Sequence, residues 1–252
     1  MSFDVQAAAA ALDRAARDRA PVPRLTDGPG GAGLDAATAY AVQRAGIDLR
    51  VGRGERVTGV KMGFTSRAKM AQMGVDDVIW GLLTDAMPAE GALDTGTRIH
   101  PRVEPEIAFL IGREVTSPLA VEAAVDGVAV GFEVLDSRYA GFSFALPDVI
   151  ADNASASGYG VGAWHRPRDL ANTGLLLEID GRAVATGSAA AILGDPYRSL
   201  RAAARLAAAA GVALQPGMVV LAGAATAAVP LPAGAHVRVV GAGLGAAEVT
   251  TR

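Results

Sequence analysis

The feature that most restricts the fold of this chain is a change in its apolar pattern near residue 75. Before that point, an alanine-rich segment from Asp4 to Ala20 and a second segment from Asp35 to about Val51 are predicted to be helices. Val57 to Met62 is a short strand candidate, and Thr65 is placed to cap a helix that runs through Met73. We therefore predict a mostly helical region over residues 1–75.

The rest of the chain, residues 76–252, carries short β-type runs separated by turn residues. The predicted strands are Val103–Ile111, Val128–Leu135, Gly160–His165, Leu175–Ile179, Ala183–Gly187, Met218–Ala222 and His236–Val240. Asp180-Gly181 is typical of a tight hairpin turn, and one alanine-rich helix from about Pro196 to Ala210 interrupts the series. The pattern predicts an α+β fold in which a β-rich catalytic domain follows the helical region.

Composition narrows the possible functions. With 23 basic and 26 acidic residues the net charge is −3, so there is no basic excess to bind a nucleic-acid backbone. The absence of cysteine excludes disulfide scaffolds, thiolate metal sites and thiol nucleophiles. No apolar run reaches the roughly 18 residues of a membrane span, and the first residues lack the basic region of a signal peptide. We expect a soluble, cytoplasmic protein without nucleic-acid or membrane partners.

Two glutamates, Glu104 and Glu106, interrupt the apolar strand Val103–Leu110. Side chains alternate along a strand, so both glutamates point to one face, with Cβ atoms about 6–7 Å apart. Taken alone, such a pair is typical of a half-exposed strand with a solvated acidic face. Both faces become apolar towards the end of this strand, and two like charges near a core are costly unless a cation lies between them. The segment therefore favours a divalent cation with oxygen ligands.

A third carboxylate, Glu133, stands alone among the apolar residues of the strand Val128–Leu135. The alternative to a metal ligand is a buried glutamate paired with Arg138 or Arg102, because buried acids are usually paired. Three carboxylates without histidine or cysteine suit Mg²⁺ or Mn²⁺ far better than zinc.

Two further segments are candidates for the same site. Lys61 lies in the apolar run Val60–Gly63, where a lysine is ordinarily found at the end of a strand with its amine in solvent. Beside a carboxylate-rich metal site, however, it becomes a charge partner or a proton donor. Asp152–Ser155 offers small polar groups for a substrate carboxylate, or forms only a turn or a helix cap.

Eight motifs in order along the chain carry a family resemblance. They are Lys61–Met70, Gln72–Asp76, Val103–Phe109, Glu133–Tyr139, Ala151–Ser155, Ala185–Gly187, Leu193–Pro196 and Thr226–Pro230. Together they resemble the 2-hydroxypentadienoate hydratase/4-oxalocrotonate decarboxylase family of the fumarylacetoacetate-hydrolase-like superfamily. The resemblance implies the mixed β-roll or barrel of that superfamily with an N-terminal helical region. It implies Glu104, Glu106 and Glu133 as metal ligands, Lys61 as catalytic, and Ser155 and Thr226 as substrate-binding.

Within that family the sequence is most similar to the decarboxylase branch. Ile79-Trp80-Gly81 stands where hydratases usually carry Asp-Phe-Gly, and an isoleucine cannot move protons during water addition. The resemblance implies metal-dependent decarboxylation of 2-oxohex-3-enedioate, a 2-oxo dicarboxylate, to 2-hydroxypenta-2,4-dienoate in aromatic meta-cleavage catabolism. Ile79 and Trp80 would form an apolar wall that favours departure of the carboxylate. The apolar content favours a homo-oligomer, and decarboxylases of the family associate with the pathway hydratase.

Three alternatives stay open at this point. A hydratase would add water to the same dienol. An acylpyruvate-type carbon–carbon hydrolase would need a histidine–glutamate pair to activate water, and no histidine is placed for that role. A non-catalytic partner of a hydratase would have no reason to keep the costly charges of Lys61 and the three glutamates.

Overall fold

Two capped helices form the N-terminal part of the chain in a computed structural model, which describes residues 3–66, 70–71, 74 and 77–252. Helix α1 (Val5–Asp18) begins at Asp4, whose carboxylate accepts a hydrogen bond from the Ala7 N–H at 2.9 Å. Helix α2 (Ala36–Gly52) begins in the same way at Asp35. Both predicted helices are confirmed, and they pack against each other. The helix predicted from Thr65 to Met73 falls largely outside the described residues.

Twelve strands in the described part of the chain form two mixed sheets. The larger sheet contains β1 (Val57–Gly63), β2 (Ile79–Thr84), β4 (Arg102–Ile111), β5 (Val125–Leu135), β6 (Ala156–Val161), β9 (Val219–Ala224) and β10 (Val229–Pro230), in the order β2-β1-β9-β4-β5-β6 with β10 beside β4. The smaller sheet contains β3 (Ala92–Leu93), β7 (Gly174–Ile179), β8 (Arg182–Ser188), β11 (His236–Gly241) and β12 (Gly245–Thr251), in the order β3-β12-β11-β7-β8. Helices α3 (Leu146–Ala151) and α4 (Pro196–Ala209) complete the fold. Pairing is antiparallel except between β1 and β9 and between β3 and β12. The predicted α+β roll is confirmed.

Strand β4 separates an apolar core from a polar site. Its residues Ile107 and Phe109 are fully buried in a cluster that also includes Phe132 of β5 and Leu177 of β7, so the two sheets share one core. Strand β5 contacts β11 and β12 of the smaller sheet. Because side chains alternate, the opposite face of β4 is left for its glutamates.

Several elements depart from the sequence-based expectations, including helix α3 and the two-residue strands β3 and β10, which the pattern does not predict. Strands β2 and β12 are not among the predicted strands: all six residues of β2 are buried, so it shows no alternation, and β12 contains glycine and alanine, which favour strands weakly. Strand β1, inside the predicted helical region, pairs with β2 and β9 of the larger sheet. The boundary at residue 75 stays a prediction. No helix among the described residues is long and apolar enough to cross a membrane.

A strained turn connects α3 to β6. Asn153, Ala154 and Ser155 have φ angles of 51°, 50° and 59°, a left-handed conformation that costs non-glycine residues about 1–2 kcal/mol each. The Asn153 carboxamide accepts from the Leu82 N–H and donates to the Leu82 carbonyl, both at 2.8 Å. Gly81 has to be a glycine here, because a Cβ at that position would lie 2.7 Å from the Asn153 carbonyl oxygen. The turn is therefore held by the open edge of β2.

We expect Asn153→Ala to destabilise the fold by about 2–4 kcal/mol. Alanine keeps the unfavourable φ but leaves the buried N–H and carbonyl of Leu82 unpaired. Urea unfolding followed by circular dichroism measures the loss. Asn172→Ala is the matched control, since Asn172 makes one exposed hydrogen bond to Ser188 and its loss should change the free energy of unfolding by less than about 1 kcal/mol. Equal effects of the two substitutions would contradict this account.

Candidate metal centre

Three carboxylates converge where β4 and β5 pair. Glu104 lies directly opposite Glu133 in the antiparallel register, and Glu106 lies two residues further along the same face of β4. One carboxylate oxygen from each of the three glutamates lies within 4.8 Å of the other two. Glu106 and Glu133 are completely buried and Glu104 is half-buried. The structure thus brings together the three residues that the sequence singled out as ligands.

The buried carboxylates lack enough protein partners for their charge. One oxygen of Glu106 accepts a hydrogen bond from the Gly223 N–H at 2.7 Å. The Oε1 atoms of Glu106 and Glu133 are buried without a hydrogen-bond partner among the described residues. Since an unpaired buried carboxylate oxygen is costly, these atoms fit the requirements of a bound cation. An all-oxygen donor set is the one that Mg²⁺ and Mn²⁺ prefer.

Lys61 is the cation of the cluster. It lies on β1 opposite Gly81, and its Nζ atom is 2.9 Å from Glu133 Oε2 and donates to the Ala154 carbonyl at 3.1 Å. Burial lowers the pKa of Lys61, but attraction to the three glutamates outweighs this effect and the pKa is raised above its ordinary value. The amine is therefore held as an ammonium ion.

Lys61 supplies one positive charge against the two buried carboxylates of Glu106 and Glu133. Burial, together with repulsion from Glu133 and Glu104, raises the pKa of Glu106 well above its ordinary value, against the opposing effect of Lys61. Burial likewise raises the pKa of Glu133, although its contact with Lys61 opposes the change. Without a divalent ion, then, this site favours protonation. A bound divalent cation would supply two positive charges and so remove the electrostatic cause of this protonation.

A second buried ion pair fixes the turn behind Lys61. The Arg138 guanidinium donates to the Asp152 carboxylate and to the Asp152 carbonyl oxygen. Burial raises the pKa of Asp152 to about 6, although Arg138 opposes the shift. The Ser155 hydroxyl also donates to Asp152, at 3.2 Å. The alternative in which Glu133 pairs with Arg138 is wrong, because Arg138 is bound to Asp152 and Glu133 to Lys61.

The remaining predicted substrate residues are distributed around this cluster. Ile79 lies opposite Gly63 in the register, which places it on the Lys61 face of β2. Trp80 lies on the other face, where it is buried in the apolar core. Thr226 is half-buried and lies two residues after Ala224, the β9 residue that pairs with Glu106. The Arg138–Asp152 ion pair cannot be predicted from the sequence, because the fourteen-residue separation of its members carries no periodic signal.

Comparison with known proteins gives one consistent family. Residues 70–252 match the family described as fumarylacetoacetate (FAA) hydrolase C-terminal. A 4-oxalocrotonate decarboxylase of Pseudomonas sp. is 53% identical over 249 residues, which is 95% of either chain. A 2-keto-4-pentenoate hydratase of Paraburkholderia xenovorans (strain LB400) is 35% identical over 226 residues, covering 86% of this chain and 83% of the hydratase.

A solved structure has nearly the same fold over the whole chain. It is 4-oxalocrotonate decarboxylase from Pseudomonas putida G7 complexed with magnesium and adipate, with a TM-score of 0.92 and 34% identity. The match covers 98% of this chain and 97% of that one. The same protein complexed with calcium and acetate gives a TM-score of 0.91.

The raised pKa values predict how pH changes the stability of the metal-free protein. A carboxyl group whose pKa is higher in the folded than in the unfolded state stabilises the fold below about pH 4.5, and that contribution is lost as pH rises through the folded pKa. We expect the Tm of the metal-free protein to fall as pH rises above about 4.5, and the increase in Tm on adding Mg²⁺ to be larger at higher pH. At a free Mg²⁺ concentration one hundred times the Kd, binding should increase the free energy of unfolding by about 2.7 kcal/mol.

We expect Glu106→Gln to increase the stability of the metal-free protein and to abolish its stabilisation by Mg²⁺. At a pH high enough to ionise Glu106 in the native protein, the metal-free variant should be more stable than the native protein because one buried like charge is gone, and its Tm should no longer respond to Mg²⁺. Differential scanning calorimetry with and without Mg²⁺ measures both effects. The exposed Glu90→Gln is the control and should behave as the native protein. A full Mg²⁺ response in Glu106→Gln would refute the proposed metal centre.

Proposed function

The chain belongs to the fumarylacetoacetate hydrolase C-terminal family, and from this premise we propose that it is a divalent-metal-dependent carboxy-lyase acting on 2-oxohex-3-enedioate (4-oxalocrotonate). The products are 2-hydroxypenta-2,4-dienoate and CO₂, in aromatic meta-cleavage catabolism. The observation that carries the proposal is the buried cluster of three glutamates in a chain that is 53% identical to a 4-oxalocrotonate decarboxylase over 95% of its length. The adipate bound by the Pseudomonas putida G7 enzyme is, like this substrate, a six-carbon dicarboxylate.

Glu104, Glu106 and Glu133 would hold the Mg²⁺ or Mn²⁺ ion. Bound there, the ion supplies a Lewis acid that stabilises negative charge on the 2-oxo oxygen of the substrate as CO₂ leaves. The protein contributes a buried, apolar surrounding in which such electrostatic stabilisation is stronger than in water. This explains why a decarboxylation that needs an electron acceptor can proceed without an organic cofactor.

Lys61 is the residue that handles the proton or the developing oxyanion. Its ammonium group is fully buried, charged and fixed between Glu133 and the Ala154 carbonyl, so it is oriented before the substrate arrives. Three donors on one nitrogen allow a further hydrogen bond to the substrate. Ser155 and Thr226 would bind substrate oxygens from the neighbouring strand connections.

Ile79 distinguishes decarboxylation from hydration at this site. It places an apolar wall on the Lys61 face, and this wall offers no base to activate water. Trp80, on the opposite face of β2, would support this wall from the core rather than touch the substrate. A hydratase is the second candidate, because the 35% identity to 2-keto-4-pentenoate hydratase covers 86% of the chain.

The proposal also covers the assembly of the enzyme and its location in the cell. We infer a homo-oligomer from the apolar content, and a complex with the pathway hydratase from the family resemblance. A cytoplasmic location agrees with a small dicarboxylate substrate from aromatic catabolism.

The activity is tested on enzymatically generated 2-oxohex-3-enedioate. With Mg²⁺ we expect loss of substrate absorbance matched by CO₂ release, and no turnover with a chelator or in Glu106→Gln; Glu90→Gln should remain active. Supplied 2-hydroxypenta-2,4-dienoate should stay largely unconsumed. Rapid consumption of the dienoate without CO₂ release would instead identify a hydratase.

We expect Lys61→Met to reduce kcat by about a hundredfold or more, the usual contribution of a positioned proton donor. The variant retains the three glutamates, so its Tm should still respond to Mg²⁺. Stopped-flow absorbance measures the rate, and calorimetry measures the metal response. Activity within about threefold of the native protein would exclude Lys61 from the chemical step.

A further inference from the structure

Arg102 extends the row of charged residues on β4. It lies two residues before Glu104, and the pairing of β4 with β5 is continuous from Arg102 to Glu106. Alternation therefore places the Arg102 side chain on the face of β4 that carries the two glutamates. Arg102 is not the ion-pair partner of Glu133, which is bound by Lys61 instead. The glutamate row thus has a positive charge at one end.

The guanidinium of Arg102 has free hydrogen-bond donors. It is half-buried and makes no side-chain hydrogen bond or ion pair with another described residue. Its contact is with the ring of Phe142, whose centroid lies 4.2 Å from the guanidinium carbon. A cation–π contact fixes the plane of the group but uses none of its five N–H donors. A guanidinium that is fixed in plane and keeps its N–H donors unused can bind a carboxylate through two parallel hydrogen bonds.

The aromatic support beneath Arg102 is itself held in a strained backbone. Phe142 has a φ of 56°, directly after Gly141 at 65°. Its ring packs against His100, with centroids 5.2 Å apart, and against Phe144 at 5.9 Å. Non-glycine residues in this conformation persist only where their surroundings fix them, and such strain concentrates at ligand sites.

We propose that Arg102 binds the carboxylate of the substrate that is lost as CO₂, while the 2-oxo end lies at the glutamate cluster. This inference rests on the proposed function. The terminal carbons of an extended six-carbon diacid lie about 6 Å apart, and alternate residues of a strand lie about 6.6 Å apart. The backbone positions of Arg102 and Glu104 are therefore about one substrate length apart, which lets a diacid held at the glutamate cluster reach the Arg102 end of this strand face.

The chemistry gives Arg102 a specific kinetic role. Decarboxylation breaks the C5–C6 bond, and the electron pair left on C5 moves through the C3–C4 double bond to the 2-oxo oxygen, which a proton converts to the 2-hydroxy group. Negative charge thus leaves the end of the substrate that Arg102 holds. Its interaction is stronger in the ground state than in the transition state, so Arg102 lowers KM and selects dicarboxylates without raising kcat.

Two ligands with the same 2-oxo head test this role. 2-Oxoadipate carries the distal carboxylate and 2-oxohexanoate lacks it. Their binding to the Mg²⁺-loaded protein is measured by titration calorimetry for the native chain, Arg102→Met, Arg102→Lys and the exposed control Arg182→Met. We expect Arg102→Met to weaken 2-oxoadipate about tenfold to a hundredfold and 2-oxohexanoate by less than about twofold. The affinity of Arg102→Lys for 2-oxoadipate should lie between those of the native chain and Arg102→Met. The affinity of Arg182→Met should equal that of the native chain.

Steady-state kinetics supply the second readout. For Arg102→Met we expect a raised KM for 2-oxohex-3-enedioate with kcat unchanged or higher. Equal weakening of both ligands, or a lower kcat at unchanged KM, would overturn the inference. If Arg102→Met does not fold, Phe142→Leu removes the support and should weaken 2-oxoadipate selectively by a smaller factor. The calorimetric comparison needs no turnover, so a native protein without CO₂ release would refute the proposed function and leave the Arg102 test intact.

Discussion

Two completely buried carboxylates face one buried ammonium group at the centre of this protein, with a third carboxylate at their edge. Charges in a medium of low dielectric must be neutralised, and among the described residues two buried carboxylates face one ammonium group. The register of β4 and β5 fixes the carboxylates, and β1 fixes Lys61. The larger sheet therefore holds carboxylates together that would repel each other apart in a flexible chain. A bound cation would reduce this repulsion.

The N-terminal helices contribute to this centre indirectly. Gln43 of α2 donates hydrogen bonds to the carbonyls of Trp80 and Ile150, which lie on β2 and α3. Asn153 bonds to Leu82 along the same open edge of β2. Side-chain amides thus replace the neighbouring strand that this edge lacks, and they connect the helical region to the turn that carries the Ala154 carbonyl. The helical region, which carries none of the proposed metal ligands, is thus hydrogen-bonded to elements on either side of the turn that holds Lys61.

The sequence predicted the parts of the structure that rest on local pattern. Alternation along Val103–Leu110 placed Glu104 and Glu106 on one face, and the capping aspartates located α1 and α2. Residues whose positions depend on distant partners could not be found in this way. The all-buried strand β2 has no alternation, the face occupied by Trp80 follows only from its register with Met62, and Arg138 meets Asp152 through tertiary folding. The family resemblance located Lys61 and Ser155, but only the structure shows what holds them.

The left-handed turn at Asn153–Ser155 has a consequence for the order of assembly. A turn of three strained residues without glycine has no intrinsic tendency to form, so it must wait for Leu82 and Arg138 to reach their final places. Both partners are far apart along the chain, one before β4 and one after β5. Lys61 donates to the Ala154 carbonyl, so the orientation of its ammonium group depends on this turn. The contact between the Lys61 ammonium group and the Ala154 carbonyl therefore depends on residues far apart in the chain, whereas the register of β4 and β5 alone brings Glu104 and Glu133 together.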